Sequence, residues 1–111
     1  MIVVWNQLLK NTKITGIALY PFIVLRNKKD RLNRTLINHE KIHLRQQLEL
    51  LVVFFYLWYV IEYYYWYVKL GNSHLAYRTI SFEREAFAKE EDSLYLKNRP
   101  FWNFLRFFYS H

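Results

Sequence analysis

The sequence predicts an α+β fold that is mainly helical, and three observations carry that expectation. The chain has 111 residues, 53% of them hydrophobic and 21% aromatic, with only 2 Gly and 2 Pro. Such a chain has apolar surface to bury and few breakers, so it reads as helix-rich and tightly packed rather than disordered. Between Asp30 and Gly71 there is neither Gly nor Pro, whereas residues 14–26 (ITGIALYPFIVLR) concentrate β-branched and aromatic side chains around Gly16 and Pro21. The first stretch is helical in character and the second is strand-forming.

Residues 1–13 are ambiguous, with Ile2 to Trp5 suited to a short strand. Residues 14–26 read as one bent strand or two short ones, a small edge strand or hairpin. Pro21 has no N–H to give a central ladder, which places this segment at a sheet edge. Asn27 to Asp30 reads as a turn. From about Arg31 a long helix runs to Gly71-Asn72-Ser73, a typical C-terminal stop. Nearly forty residues is long for a helix in a chain of this size, which allows a break at a point the pattern does not mark. A second, Glu-bearing helix begins near Ser81 and extends to about Asn98. Pro100 then interrupts, and a short aromatic helix (PFWNFLRFFY) closes the chain. Neither repeat nor linker divides it, so residues 1–111 are read as a single domain.

Composition narrows the function classes. With no Cys there are no disulfides and no thiolate ligands, so any metal must sit on His, Asp or Glu. The net charge is +7 and the pI about 9.7. Arg26, Lys28, Lys29, Arg31 and Arg34 cluster around Asp30, which reads first as a solvated loop and helix start and second as a patch for anionic lipid or nucleic acid. No nucleic-acid fold signature accompanies it, so nucleic acid is not an expected partner. MIVVWNQLLKN lacks the basic start, apolar stretch and cleavage site of a signal peptide, which points to a cytoplasmic or membrane-peripheral protein. Leu50 to Val68 is 19 residues with one charge, Glu62, and has the length of a bilayer span. Six of those residues are tyrosine, and a mid-span carboxylate is unfavourable, so a buried or membrane-surface helix is expected instead.

One short run carries chemistry. His39-Glu40-Lys41-Ile42-His43 fits HExxH. Histidines at i and i+4 leave a helix on one side, one turn apart, where two imidazoles can share Zn²⁺ while Glu40 takes a proton from a water at the open position. A match this short arises by chance in about 1% of chains of this composition, so its context must support it.

A catalytic zinc needs a third protein ligand. The downstream donors are Glu49, Glu62, His74, Glu83, Glu85, Glu90, Glu91, Asp92 and His111. On a continuous helix Glu49 and Glu62 would lie roughly 9 and 28 Å beyond His43, out of reach. The ligand must then come from a segment returning after Gly71. On the helix from Ser81, Glu83 shares a face with Ile80, Phe87, Glu90 and Leu94, whereas Glu85 shares one with Ala88, Lys89, Asp92 and Leu96, a mainly solvated set. A ligand points inward, which favours Glu83, and small Ala86 would let the two helices approach closely. On the first helix, positions 39, 43, 46, 50, 54, 57 and 61 form one stripe, so the metal-facing side would run straight into an apolar side.

HEKIH followed by Glu83-Arg84-Glu85-Ala86 resembles the gluzincin zinc metallopeptidases, and HEKIHLRQQ resembles the HExxHxxQQ variant of compact bacterial zincin-like domains. The motifs span roughly residues 36–90. The resemblance implies a minimal zincin-like domain with His39, His43 and Glu83 on Zn²⁺ and Glu40 as general base. The chain departs from the family where an aspartate supports a zinc-bound histidine; Phe87 stands there, and only Glu90 or Gln47 could replace that contact. His74, Tyr77, Arg78 and Tyr95 are suitable oxyanion donors that the sequence does not rank. An extended peptide or protein substrate would pair with the exposed strand edge.

The expected function is therefore a zinc-dependent peptidase, soluble or at a membrane surface. The alternatives are a catalytically weak zinc-binding interaction module, for which Phe87 argues, and a small basic aromatic membrane-associated protein. Gln46 and Gln47 read as solvated or packing residues before they read as supports of the site.

Overall fold

A computed structural model describes residues 1–109 and shows an α+β, mainly α fold, with a three-stranded sheet and seven α-helices among those residues. Strands β1 (Ile2–Val4), β2 (Gly16–Leu19) and β3 (Phe22–Leu25) lie in the order β1-β3-β2. β1 runs parallel to β3, and β2 pairs antiparallel with it. The segment 14–26 is thus a hairpin, and Pro21 sits in its turn behind a cis Tyr20–Pro21 bond. The expected edge position holds for β2 alone. β3 is the central strand, possible because the proline falls outside the ladder, and its Ile23, Val24 and Leu25 are buried.

A short helix α1 (Asn6–Leu9) links β1 to the hairpin. A 3₁₀ turn, Lys28–Leu32, leads from β3 into α2 (Arg34–Glu49), whose first turn is capped by the Asn33 side chain accepting the Leu36 N–H. The basic residues of the turn face solvent around Asp30, which is buried.

The long helix is not continuous. It ends at Glu49 and restarts as α3 (Val53–Leu70), bent by 113° to α2. Leu51 and Val52 make the corner with φ of 56° and 49°, a region that side chains of their kind seldom enter. No Gly, Pro or Asn marks it. The corner also divides the expected stripe: His39, His43, Gln46 and Leu50 face inward, whereas Phe54, Leu57 and Ile61 are exposed.

Gly71 closes α3 in the left-handed conformation with φ of 66°, its N–H donating to the Tyr67 carbonyl. Two helices follow where one was expected: α4 (Ser73–Thr79), capped by Asn72, and α5 (Ser81–Lys89). The Ser81 unit also stops early, because α6 (Tyr95–Asn98) is separate, and α7 (Phe104–Tyr109) follows Pro100. Phe82 and Phe104 are fully buried with Ile80, Phe55 and Leu50 in one core cluster, and Ala86 packs against Ile42 and Tyr95 in a second. The small Ala86 side chain is what brings α5 against α2. Among the described residues no single helix is long and apolar enough to cross a membrane.

Candidate metal centre

α2 and α5 face each other across the second cluster, and their facing turns bring three donors together. Glu83 Oε1 lies 3.1 Å from His39 Nε2 and 3.0 Å from His43 Nε2, and the two Nε2 atoms are 3.2 Å apart. All three residues are buried. An ion about 2.0 Å from each of three tetrahedral ligands requires those ligands roughly 3.3 Å apart, so the spacing and the donor set fit a metal ion. Glu49 and Glu62 are indeed not in the group. For Glu49, which closes α2, the expected reason holds; for Glu62 it differs, because the chain folds back after Glu49 and the Glu62 carboxylate is taken up by Ser81.

The other ring nitrogens are also engaged. His39 Nδ1 is 2.7 Å from Glu90 Oε2, and His43 Nδ1 is 2.8 Å from Gln46 Oε1. With each Nδ1–H donating outward, an Nε2 that gives up its proton would turn its lone pair toward the centre, the tautomer a metal needs. Glu90 thus makes the histidine contact for which Phe87 lacks a polar group, while the Phe87 ring packs edge-on to His39 at 4.5 Å. Gln46 is not solvated; it is fully buried and donates onward to Glu85 Oε1 at 2.8 Å and the Phe82 carbonyl at 3.2 Å.

Glu85 corrects the expectation of a solvated face. It is fully buried, with Arg99 on both carboxylate oxygens, Tyr95 on one and Gln46 on the other, and Arg99 continues to Glu49 at 2.6 Å. The early end of α5 lets α6 and Arg99 cover that side. Glu62 is likewise buried: it accepts the Ser81 N–H at 2.7 Å and Oγ–H at 2.6 Å, and both the Trp58 and Trp66 indoles. Its carboxylate therefore sits at the start of α5, where the helix dipole favours it. This join aligns α3 so that Tyr59, one turn earlier, donates its hydroxyl to Glu83 Oε2 at 2.6 Å.

The electrostatics follow from this crowding. Burial works to lower the His43 pKa, but the Glu83 carboxylate prevails and pushes it up to about 9. Burial would raise Glu83, yet His43, with bonds from His39 and Tyr59, holds it well below the usual carboxylate range. Burial raises Glu40, with the two histidines working against that rise. Tyr59 and Tyr77 are pushed well above the ordinary phenol range by burial and then by Glu83, so both remain hydroxyl donors.

A cavity of about 780 Å³ opens beside the group, lined by Glu40, the three donors and the β2 edge. Of the four suggested oxyanion donors, His74 and Tyr77 reach its wall. Arg78 instead lies over the Phe87 ring, and Tyr95 is bound to Glu85 and Asn103. The strand edge is only partly open. The Gln47 amide donates to the Ala18 carbonyl at 2.8 Å and accepts the Tyr20 N–H at 2.9 Å, occupying the turn end of β2, and Tyr56 adds a bond to Ala18. His111 lies outside the described residues. Tyr59 had no signal in the sequence beyond being one tyrosine among ten.

The fold and site together define a helix-rich α+β domain with a buried His₂Glu group able to hold a metal ion. Comparison with protein-family models, curated proteins and solved structures found no match.

Proposed function

We propose that this chain is a zinc-dependent peptidase, in keeping with its resemblance to gluzincins. The observation that carries the reading is the convergence of His39 Nε2, His43 Nε2 and Glu83 Oε1 beside a buried Glu40 at a cavity wall. A two-nitrogen, one-carboxylate set is that of a catalytic zinc, which when bound supplies Lewis acidity and a water acidic near neutral pH. Every other part is provided by the chain. Glu40, its proton affinity raised by burial, accepts the proton of the attacking water and returns it to the leaving amine. His74 and Tyr77 stand at the wall as donors to a developing oxyanion. Tyr59 holds Glu83, and Glu90 and Gln46 fix the two imidazoles. The open part of the β2 edge, residues 15–17, borders the same cavity and offers backbone groups to an extended peptide.

The reading of a weak metal-binding module leaned on Phe87, and the Glu90–His39 bond removes that ground. The test is metal content together with peptide cleavage. Stoichiometric zinc is expected in the wild type and in Glu40→Gln, with cleavage only in the wild type. Protein without zinc, or equal cleavage by both, sinks the proposal.

A further inference from the structure

Helix α3 is built inside out. Its only carboxylate, Glu62, faces the protein interior with Phe55 and Trp66, while Val53, Phe54, Leu57, Val60, Ile61 and Val68 face solvent at 50–81% exposure. At 100° per residue these positions fall on one continuous side, extended by Tyr64, Tyr65 and Tyr67 at 46–62%. Nine large side chains in one strip present an apolar area on the order of 1,000 Å², well beyond the ~300–600 Å² patch of a typical monomer. A surface of this size and continuity is a contact surface.

The charge distribution says what it contacts. The acidic groups are turned inward: of nine carboxylates only Glu91 and Asp92 are exposed, the rest serving the metal group, the Arg99 network, Glu62's join and Asp30. Eleven of the sixteen Lys and Arg residues are exposed. The surface is therefore more cationic than the net charge of +7 suggests. Two copies of such a surface repel each other, whereas an anionic bilayer attracts it. The strip's makeup points the same way. Aliphatic residues and Phe54 occupy its first half; Tyr64, Tyr65 and Tyr67 stand with Val68 in its second, and Lys69 flanks its end, so groups suited to the acyl boundary lie beside tyrosines and a cation suited to the headgroups.

We propose that the exposed side of α3 docks the protein flat on the surface of an anionic lipid bilayer, with Leu57 and Ile61 entering the acyl boundary. The bent α2–α3 pair permits this without a span, because α2 turns away by 113° at the Leu51–Val52 corner while its His39 and His43 stay buried. The docking does not depend on the peptidase reading.

The test is vesicle flotation of the full chain with phosphatidylcholine alone and with phosphatidylcholine plus phosphatidylglycerol. Wild type should float with the anionic vesicles, more weakly at high salt, and far less with the neutral ones. Leu57→Asp/Ile61→Asp should bind at least about tenfold more weakly at unchanged circular dichroism, since both side chains are exposed. If the double variant loses its fold, Val68→Asp, at the most exposed position, should show the same direction of effect. Absence of the wild type from anionic vesicles overturns the proposal, as does equal binding by folded variants. A wild-type dimer that the same variants split, and that vesicles fail to dissociate, overturns it in favour of a second copy as the occupant.

Discussion

Glu83 and Glu85 are two residues apart on one short helix, both buried, yet they belong to different machinery. Glu83 meets two imidazoles and a tyrosine; Glu85 meets a guanidinium, a tyrosine and a glutamine. Glu83→Ala should lose the metal while the protein stays folded. Glu85→Ala leaves Arg99 buried without its main partner and should destabilise by about 3–5 kcal/mol. Zinc affinity measured at low temperature, beside denaturant melts, separates the two; preferential metal loss in Glu85→Ala would overturn the assignment. The same residues set a pH dependence in the metal-free protein. His43 is raised from 6.5 to about 9, so its contribution to stability is complete below about 6.5 and is lost as pH rises through 9. Glu83 is depressed, so its contribution is present above its ordinary 4.5 and is lost as pH falls below that toward its folded value. Melts in chelator should therefore show this pair stabilising most between about 4.5 and 6.5, with a decline toward pH 9. A His43→Gln variant should flatten that decline, and an identical slope in both proteins would refute it.

At the scale of elements, the two ends of α3 contrast. Its C-terminus is written in the sequence: Gly71 takes the left-handed conformation, and a Cβ there would meet nothing within 4 Å. Gly71→Ala should then cost only backbone strain, about 1–2 kcal/mol, with no change in metal binding. A melting temperature unchanged by that substitution would contradict the assignment. Its N-terminus is not written, because Leu51 and Val52 adopt positive φ where the sequence shows ordinary apolar residues. That conformation is held from outside. Leu50 and Phe55, on either side of the corner, are both buried with Phe82 and Phe104, and this burial compensates the strain. The hairpin shows the converse case: its residues were legible, but its central strand was not, since the proline's place in the turn became clear only from the pairing register.

At the scale of the whole molecule, the His39–His43–Glu83 group ties α2 to α5, two elements separated by the entire α3–α4 excursion. A ligand that binds only this folded arrangement stabilises the whole fold by mass action. Zinc added in excess to the metal-free protein should raise the melting temperature on the order of 10 °C, and a chelator should reverse it. Calorimetry showing identical melts with and without zinc would exclude a metal-dependent fold.

The sequence by itself determined the mainly helical α+β class, the His39–His43 pair and Glu40 beside it, and it placed Glu83 on a buried side, though not as the one buried carboxylate of its helix. These rest on local periodicity, which fixes the side of a helix a residue occupies whatever the helix packs against. Tertiary structure alone decided where the long helix breaks, that Glu85 is buried, and that Glu90, Gln46 and Tyr59 hold the site. It also decided that the apolar side of α3 is turned outward. Each of these depends on which distant segment arrives opposite, as Arg99 does for Glu85 and Ser81 for Glu62. The free energy of burying or pairing a side chain resides in that encounter, and no local spacing encodes it.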